Sequence, residues 1–276
     1  MPMNKVFDAL SHPIRREVLE LLKGGGMTAG EIADYFPVSK PTMSGHFAKL
    51  KEAGLKVKSI LAVNLLIVVL MAGFALWAAG KAPPGMELPT HWNMEGEVDR
   101  TAPALTALLI PVGVTLFLGL VFAIIPAIEP LQDRMAGSAP LLRATWLGTV
   151  ALMIALQGII AAPIFGFDVG AGAVIVLVGL LFVLLGNMLP KSRPGFFVGI
   201  RTPWTITDAD NWIATHRLGG KLFMLAGLAM ILAGIIPMPG PARLAVVLAS
   251  VLIAAGLPIL YSWRFWQRGN RRDREA

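Results

Sequence analysis

The stretch KLKEAGLKVKSILAVNLLIVVL, residues 49–70, changes its solvent partway along. Up to Gly54 it reads as the end of a polar, basic helix, and from Val57 onward as chain facing lipid. Working outward from this seam, the residues after it are dominated by apolar runs. The chain has 276 residues, 55% of them hydrophobic and 15% charged. Soluble domains carry about 25% charged residues, so the composition is that of a membrane protein. With no cysteine, disulfides, thiolate metal sites and cysteine nucleophiles are excluded. The segment MPMNKVFDALSHPIRREV lacks the apolar core of a signal peptide, which predicts a cytoplasmic start.

Six apolar windows are near the roughly 20 residues that cross a bilayer. They fall at 58–79, 104–126, 143–163, 170–189, 221–237 and 243–261. Orientation follows from Lys and Arg in the short flanking segments. Arg134, Lys191, Arg193, Arg201 and Arg217, with Arg264, Arg268, Arg271, Arg272 and Arg274 of the tail, place ten on one side. Lys81 and Arg100 are the two on the other. Both termini are therefore expected in the cytoplasm. Asn64, Gln157 and Asn187 are the main polar residues within the spans, and no ionisable group lies near a span centre. That argues against a proton- or ion-coupled pump. Asn64 and Gln157 read as interhelical hydrogen-bonding groups.

Before the seam the periodicity is that of small soluble helices. NKVFDALS reads as one helix and HPIRREVLELLKGG as a second, with Ile14, Val18, Leu21 and Leu22 on one face and residues 24–26 as a glycine stop. Thr28 and Glu31 form a capping box, Ser39 caps the last helix, and KPTMSGHFAKLKEAG ends at Gly54. Two short helices joined by a tight turn make a helix-turn-helix pattern. The expected fold is all-α: a small helix-turn-helix domain over 1–55, then a six-helix transmembrane bundle over 56–276.

The first segment, FDALSHPIRREVLELLKGGGMTAGEIADYFPVSKPTMSGHFAKLKEAGL, resembles the ArsR-type winged-helix repressors. The resemblance implies that Ser39, Lys40, Thr42, Ser44 and His46 meet the DNA major groove or its phosphates. It also implies that Met43, Phe47 and Leu50 pack their helix onto the domain. It stops where the family's wing should start, because Leu55 leads into KVKSILAVNLL instead of a hairpin and a dimerisation helix.

Two stretches stand out from the apolar background. MELPTHWNMEGEVDR, residues 86–100, groups His91, Trp92, Asn93, Glu95, Glu97 and Asp99 in an outer loop, with Trp92 at headgroup depth and Gly96 in a turn. Its His and carboxylates suit several divalent ions, but their spacing matches no specific ligand motif. PKSRPGFFVGIRTPWTITDADNWIATHRLGGK, residues 190–221, is long for a membrane connection and predicts structure of its own. Thr207 and Asp210 read there as a capping box opening a short helix that Gly219 ends, with Trp212 and His216 on one face. Arg201, Trp204, Trp212 and Arg217 suit a lid against headgroups, or an anionic-lipid anchor.

Together these stretches resemble the SdpI-type bacterial immunity proteins. LPTHWNMEGEVDR is similar to their DUF1648 segment, and FFVGIRTPWTITDADNWIATHRLGGKLF to their signature. The resemblance implies a multi-pass protein of the bacterial cytoplasmic membrane that resists a secreted peptide toxin and, with toxin bound, holds a separate ArsR-type repressor at the membrane. It assigns ligand or signal roles to His91, Trp92, Asn93, Asp99, Arg201, Thr202, Pro203, Trp204, Trp212, His216 and Arg217. No nucleophile–base–orienter set emerges, so the reading is a non-enzyme with no cofactor, no metal and no catalytic residue. Candidate partners are the lipid bilayer, a peptide toxin, an ArsR-type repressor or DNA, and a second copy of the chain in a homo-oligomer. Two alternatives stay open: a membrane-tethered one-component DNA-binding regulator, and a transporter or metal-dependent membrane enzyme built around His91.

Overall fold

The computed structural model describes residues 12–23, 27–129 and 132–275. The helix expected over residues 4–11 and the glycine stop at 24–26 lie outside the described residues. The chain divides into two compact units, Met1–Val63 and Asn64–Ala276.

In the first unit, α1 (Pro13–Lys23) opens on a proline, whose missing N–H costs nothing in a first turn. Thr28 caps α2 (Ala29–Asp34). Its hydroxyl accepts from Glu31 N–H at 3.3 Å, and the Glu31 carboxylate accepts from Thr28 N–H at 2.7 Å. The bond from the Thr28 N–H, with a smaller contribution from the Thr28 side chain, holds the Glu31 carboxyl below its ordinary value. Val18, Ile32, Phe36 and Met43 are buried together, with Ile14, Leu21 and Phe47 packed against them. Leu22 departs from the expected apolar face and is exposed.

Helix α3 runs from Lys40 to Ala79 without a break. The expected stop at Gly54 and fresh start near residue 58 are therefore replaced by one helix. Mid-helix glycine costs about 1 kcal/mol, and with no proline nearby continued hydrogen bonding outweighs it.

The second unit continues with β1 (Glu87–Trp92), β2 (Val98–Pro103), α4 (Ala104–Ile128) and α5 (Gln132–Ala161). After a 3-10 turn come α6 (Ala171–Met188), the short α7 (Pro203–Thr207), α8 (Ala209–Ile235) and α9 (Gly240–Glu275). Among the described residues six helical segments are long and apolar enough to cross a membrane: Ile60–Ala79, Ala104–Ile128, Ser138–Phe165, Ala171–Lys191, Ala209–Ile235 and Gly240–Gly269. The fifth is much longer than its sequence window, because the short helix expected to end at Gly219 continues through it into the span. Large apolar side chains such as Val69, Leu70, Phe117 and Leu225 point outward. In water that would be a liability, whereas against acyl chains it is the expected surface.

The spans are held inside by a few polar bonds and by glycine. Gln157 Nε2 donates to the backbone carbonyls of Met71 and Leu108, both at 3.0 Å, joining α5 to α3 and α4. Trp146 Nε1 donates to Asn64 Oδ1 at 2.9 Å, with Gly119 leaving room for the Asn64 amide. These are the interhelical roles read from the sequence, while Asn187 is exposed. Between α6 and α8 the main chains meet directly. Gly172 faces Gly234, Gly179 faces Gly227, and Gly186 faces Gly220. A Cβ on Gly179 would sit 2.7 Å from the Gly227 carbonyl oxygen, and one on Gly227 would sit 2.5 Å from that of Gly179. Small residues that let backbones approach are the usual glue between spans, since lipid removes the hydrophobic incentive.

Candidate functional site

The loop before α4 is a β-hairpin, which corrects the loop reading. Glu87 pairs with Pro103, Leu88 with Ala102 and Trp92 with Val98, with register shifts around His91. Its turn is closed by Asn93, whose N–H donates to the Glu97 carbonyl at 2.8 Å and whose Oδ1 accepts from Glu97 N–H at 2.9 Å. Gly96 takes φ +90° there, a conformation that disfavours side chains. An isolated two-stranded hairpin is marginal. Here Leu88 anchors it, fully buried among Ala75, Ala78, Ala107 and Leu108. His91 Nδ1 meets Asp99 Oδ1 at 2.6 Å on the exposed side, and this bond holds the Asp99 carboxyl below its ordinary value.

Beneath the hairpin lies a cavity of about 560 Å³. The hairpin contributes His91, Trp92 and Asn93, and α4, α5, α6 and α9 contribute an apolar wall. Arg243, from the first turn of α9, also lines it. Trp92 is thus a half-buried wall residue, not solely a headgroup marker. Among the described residues no three His, Asp or Glu side chains converge in a way that could hold a metal ion.

The segment between α6 and α8 is a second assembly, and its polar groups are used to hold it closed. Thr202 caps α7, accepting from Thr205 N–H at 3.3 Å, and Pro203 occupies the first helical position. This replaces the expected box at Thr207, whose hydroxyl instead donates to the Pro203 carbonyl at 3.0 Å. Asp208 caps α8 through Asp210 N–H and Asn211 N–H. Trp212 and His216 stack at 4.0 Å and 17°, both buried. Ile200 N–H donates to His216 Nε2 at 2.8 Å. Nδ1 then carries the ring proton and donates to the Trp212 carbonyl at 2.8 Å, so the imidazole is neutral. Gly199, at φ +117°, lies against both rings, and a Cβ there would sit 2.5 Å from His216 Nε2.

Trp204 Nε1 donates to Ser262 Oγ at 2.7 Å, and its ring stacks on Trp266. Asn211 Nδ2 donates to the Ser262 carbonyl at 2.9 Å. Trp212 is fully buried, so it cannot serve as a headgroup anchor; Arg201 and Arg217 are exposed. Two residues the sequence reading missed fix this segment. Glu129, at the end of α4, is 2% exposed and accepts from Phe196 N–H at 2.9 Å and Phe197 N–H at 3.1 Å. Ser138 Oγ donates to the Arg193 carbonyl at 2.7 Å and accepts from Arg193 N–H at 3.0 Å. Neither carried a signal in the sequence, since a carboxylate at a span end is ordinary until its burial is seen.

The hairpin residues and the α6–α8 residues belong to different sites, since no residue of the segment between α6 and α8 lines the cavity under the hairpin. In the first unit Ser39, Lys40, Thr42 and Ser44 are exposed, with Ser39 and Thr42 hydroxyls 2.8 Å apart. His46 is buried instead, with Nδ1 3.4 Å from Arg15 Nη1 and its ring 4.6 Å from that of His12.

This architecture defines a multi-pass membrane protein carrying a helix-turn-helix segment ahead of its first span. Residues 10–60 match a helix-turn-helix domain family, residues 66–115 a domain of unknown function (DUF1648), and residues 191–262 the SdpI/YfhL protein family. Over 51 residues the chain is 59% identical to transcriptional repressor SdpR of Bacillus subtilis (strain 168), covering 18% of this chain and 57% of that repressor's length. Over 185 residues it is 26% identical to immunity protein SdpI of the same organism, covering 67% of this chain and 86% of that protein. No solved structure matches the chain. The chain thus joins a helix-turn-helix segment similar to that repressor to a membrane part similar to that immunity protein.

Proposed function

We propose that the protein confers resistance to a secreted, membrane-active peptide toxin at the bacterial cytoplasmic membrane and passes that signal to transcription through its first 55 residues. Both termini lie in the cytoplasm in this reading, which puts the hairpin on the side from which a toxin arrives. The observation that supports it is the pairing of a repressor-like and an immunity-protein-like segment in one chain. The α6–α8 assembly, including Arg201, Thr202, Pro203, Trp204, Trp212, His216 and Arg217, then faces the cytoplasm, where it can meet a separate repressor. Its buried members shape that surface, and its exposed arginines present it.

A second reading, in which DNA binding is the direct output, is favoured by the exposure of Ser39, Lys40, Thr42 and Ser44. Survival of toxin-exposed cells tests the first. The full chain and the chain from residue 56 onward should both protect, and only the full chain should alter a transcriptional reporter. Equal killing with and without the membrane part removes the immunity reading. A reporter response that needs Lys40 but no toxin supports the second.

A further inference from the structure

The cavity under the hairpin has the chemistry of a ligand site that the immunity reading does not require. Its volume, about 560 Å³, lies within the range of small-molecule pockets. Four helices line it with apolar side chains, among them Ile110, Val114, Leu156, Val174 and Val247. The hairpin carries four carboxylates, Glu87, Glu95, Glu97 and Asp99, and none of them lines the cavity. The ionisable groups that do are His91 and Arg243.

Arg243 is the informative one. Its Nε is buried without a hydrogen-bond partner, and Nη2 reaches the Met238 carbonyl only at 3.4 Å. A guanidinium in apolar surroundings with a donor unused is costly, and it is relieved by an oxyanion, whose paired oxygens match the planar fork. The positive end of α9 lies at the same place and favours the same charge.

We propose that this cavity binds an amphiphile with an oxyanion head and an acyl chain, the head on Arg243 and the chain among the apolar side chains of α4, α5, α6 and α9. A fatty-acid carboxylate and an anionic phospholipid phosphate share this chemistry. A soluble anion lacks the chain, and a zwitterionic lipid offers a headgroup whose ammonium opposes the arginine. The depth of Trp92 in the wall supplies a reporter, because bromine on an acyl chain quenches tryptophan on contact.

The test uses the full chain in phosphatidylcholine nanodiscs, titrated separately with a brominated fatty acid, brominated phosphatidylglycerol and brominated phosphatidylcholine. At least one anionic probe should give saturable quenching that disappears in Trp92→Phe. Arg243→Gln should weaken it about tenfold or more, the loss expected for a charge-assisted pair, and Arg243→Lys should recover part of it. Saturation by the fatty acid alone identifies a free acid as the source, and by phosphatidylglycerol alone a lipid headgroup. Equal quenching by phosphatidylcholine would overturn the proposal, as would an Arg243→Gln protein that binds as before. Should Arg243→Gln fail to fold, Val114→Phe, which fills the cavity and leaves the arginine in place, decides the matter. Binding retained in that variant overturns the proposal, and binding lost supports it.

Discussion

His216 is both stacking partner and hydrogen-bond acceptor, and the two roles can be separated. His216→Phe keeps a flat ring against Trp212 but removes the acceptor for Ile200 N–H and the bond to the Trp212 carbonyl. Leaving a partly buried donor unsatisfied costs about 1–3 kcal/mol. The expected result is a lower melting temperature, with amide exchange rising first around Ile200. A Phe variant as stable as the parent would show that stacking alone holds the segment. Asp99 makes a contrasting case at the surface. Its carboxyl is held below the ordinary 3.8 by His91, so the folded state favours the charged form. The stability it adds is fully present above that ordinary value and is lost as pH falls through the depressed one. Amide protection in the hairpin should stay level down to the ordinary value and decline below it, and Asp99→Asn should remove the decline. His216 and the His91–Asp99 pair were legible as residues but not as roles. Spacing placed Trp212 and His216 on one face, yet nothing local says that the loop residue Ile200 returns to them. Glu129 and Arg243 were passed over because they sit at span ends, where charge is ordinary; their burial is a tertiary fact.

At the scale of elements, the six spans and the two short helices before the seam followed from hydropathy and capping, which are local signals. The exceptions are informative. The hairpin carries Pro89, Pro103 and several charges, all poor strand formers, and persists because Leu88 is packed against helices. Continuation of α3 through Gly54 and of α8 through Gly219 and Gly220 reflects the weakness of glycine as a stop when no other breaker follows. The glycines of α6 and α8 are dispersed in sequence and acquire meaning as pairs. Gly179→Ala or Gly227→Ala must push backbones apart, since the added carbon would meet a carbonyl oxygen inside van der Waals distance. Gly113, with nothing within 4 Å of its added carbon, is the matched control. Thermal unfolding in detergent should show loss of several degrees for the first two variants and none for Gly113→Ala, consistent with overpacking costs of about 1–3 kcal/mol. Equal behaviour of all three would mean that α6 and α8 can separate freely.

For the whole molecule, topology is the first proposal to check. Reporter fusions at Asn93 and after the last residue should report opposite sides of the membrane, since ten Lys and Arg flank one set of loops and two the other. A shared side would remove the six-span arrangement. DNA binding is expected to be weak. The repressor-like stretch covers 57% of the repressor it matches and runs on as helix where a wing would begin, and His46 is buried against Arg15. In a titration against its own promoter at about 0.15 M salt, the solubilised protein should bind no better than the micromolar range of non-specific contacts. Nanomolar, sequence-specific binding lost on Ser44→Ala would overturn this.

The paired glycines also make the molecule keep count. Seven residues are close to two helical turns, so each step along α6 is matched by an equal step backward along α8, about 10 Å apart. One extra residue within 179–186 or 220–227 would rotate the remaining glycines by about 100° and face bulky side chains into the contact. The connection between the two helices carries no such arithmetic. Lengthening it at the exposed Lys191 leaves every pair aligned and strains only the bonds that Ser138 and Glu129 make to Arg193 and Phe196, so an insertion there should cost less than one inside either helix.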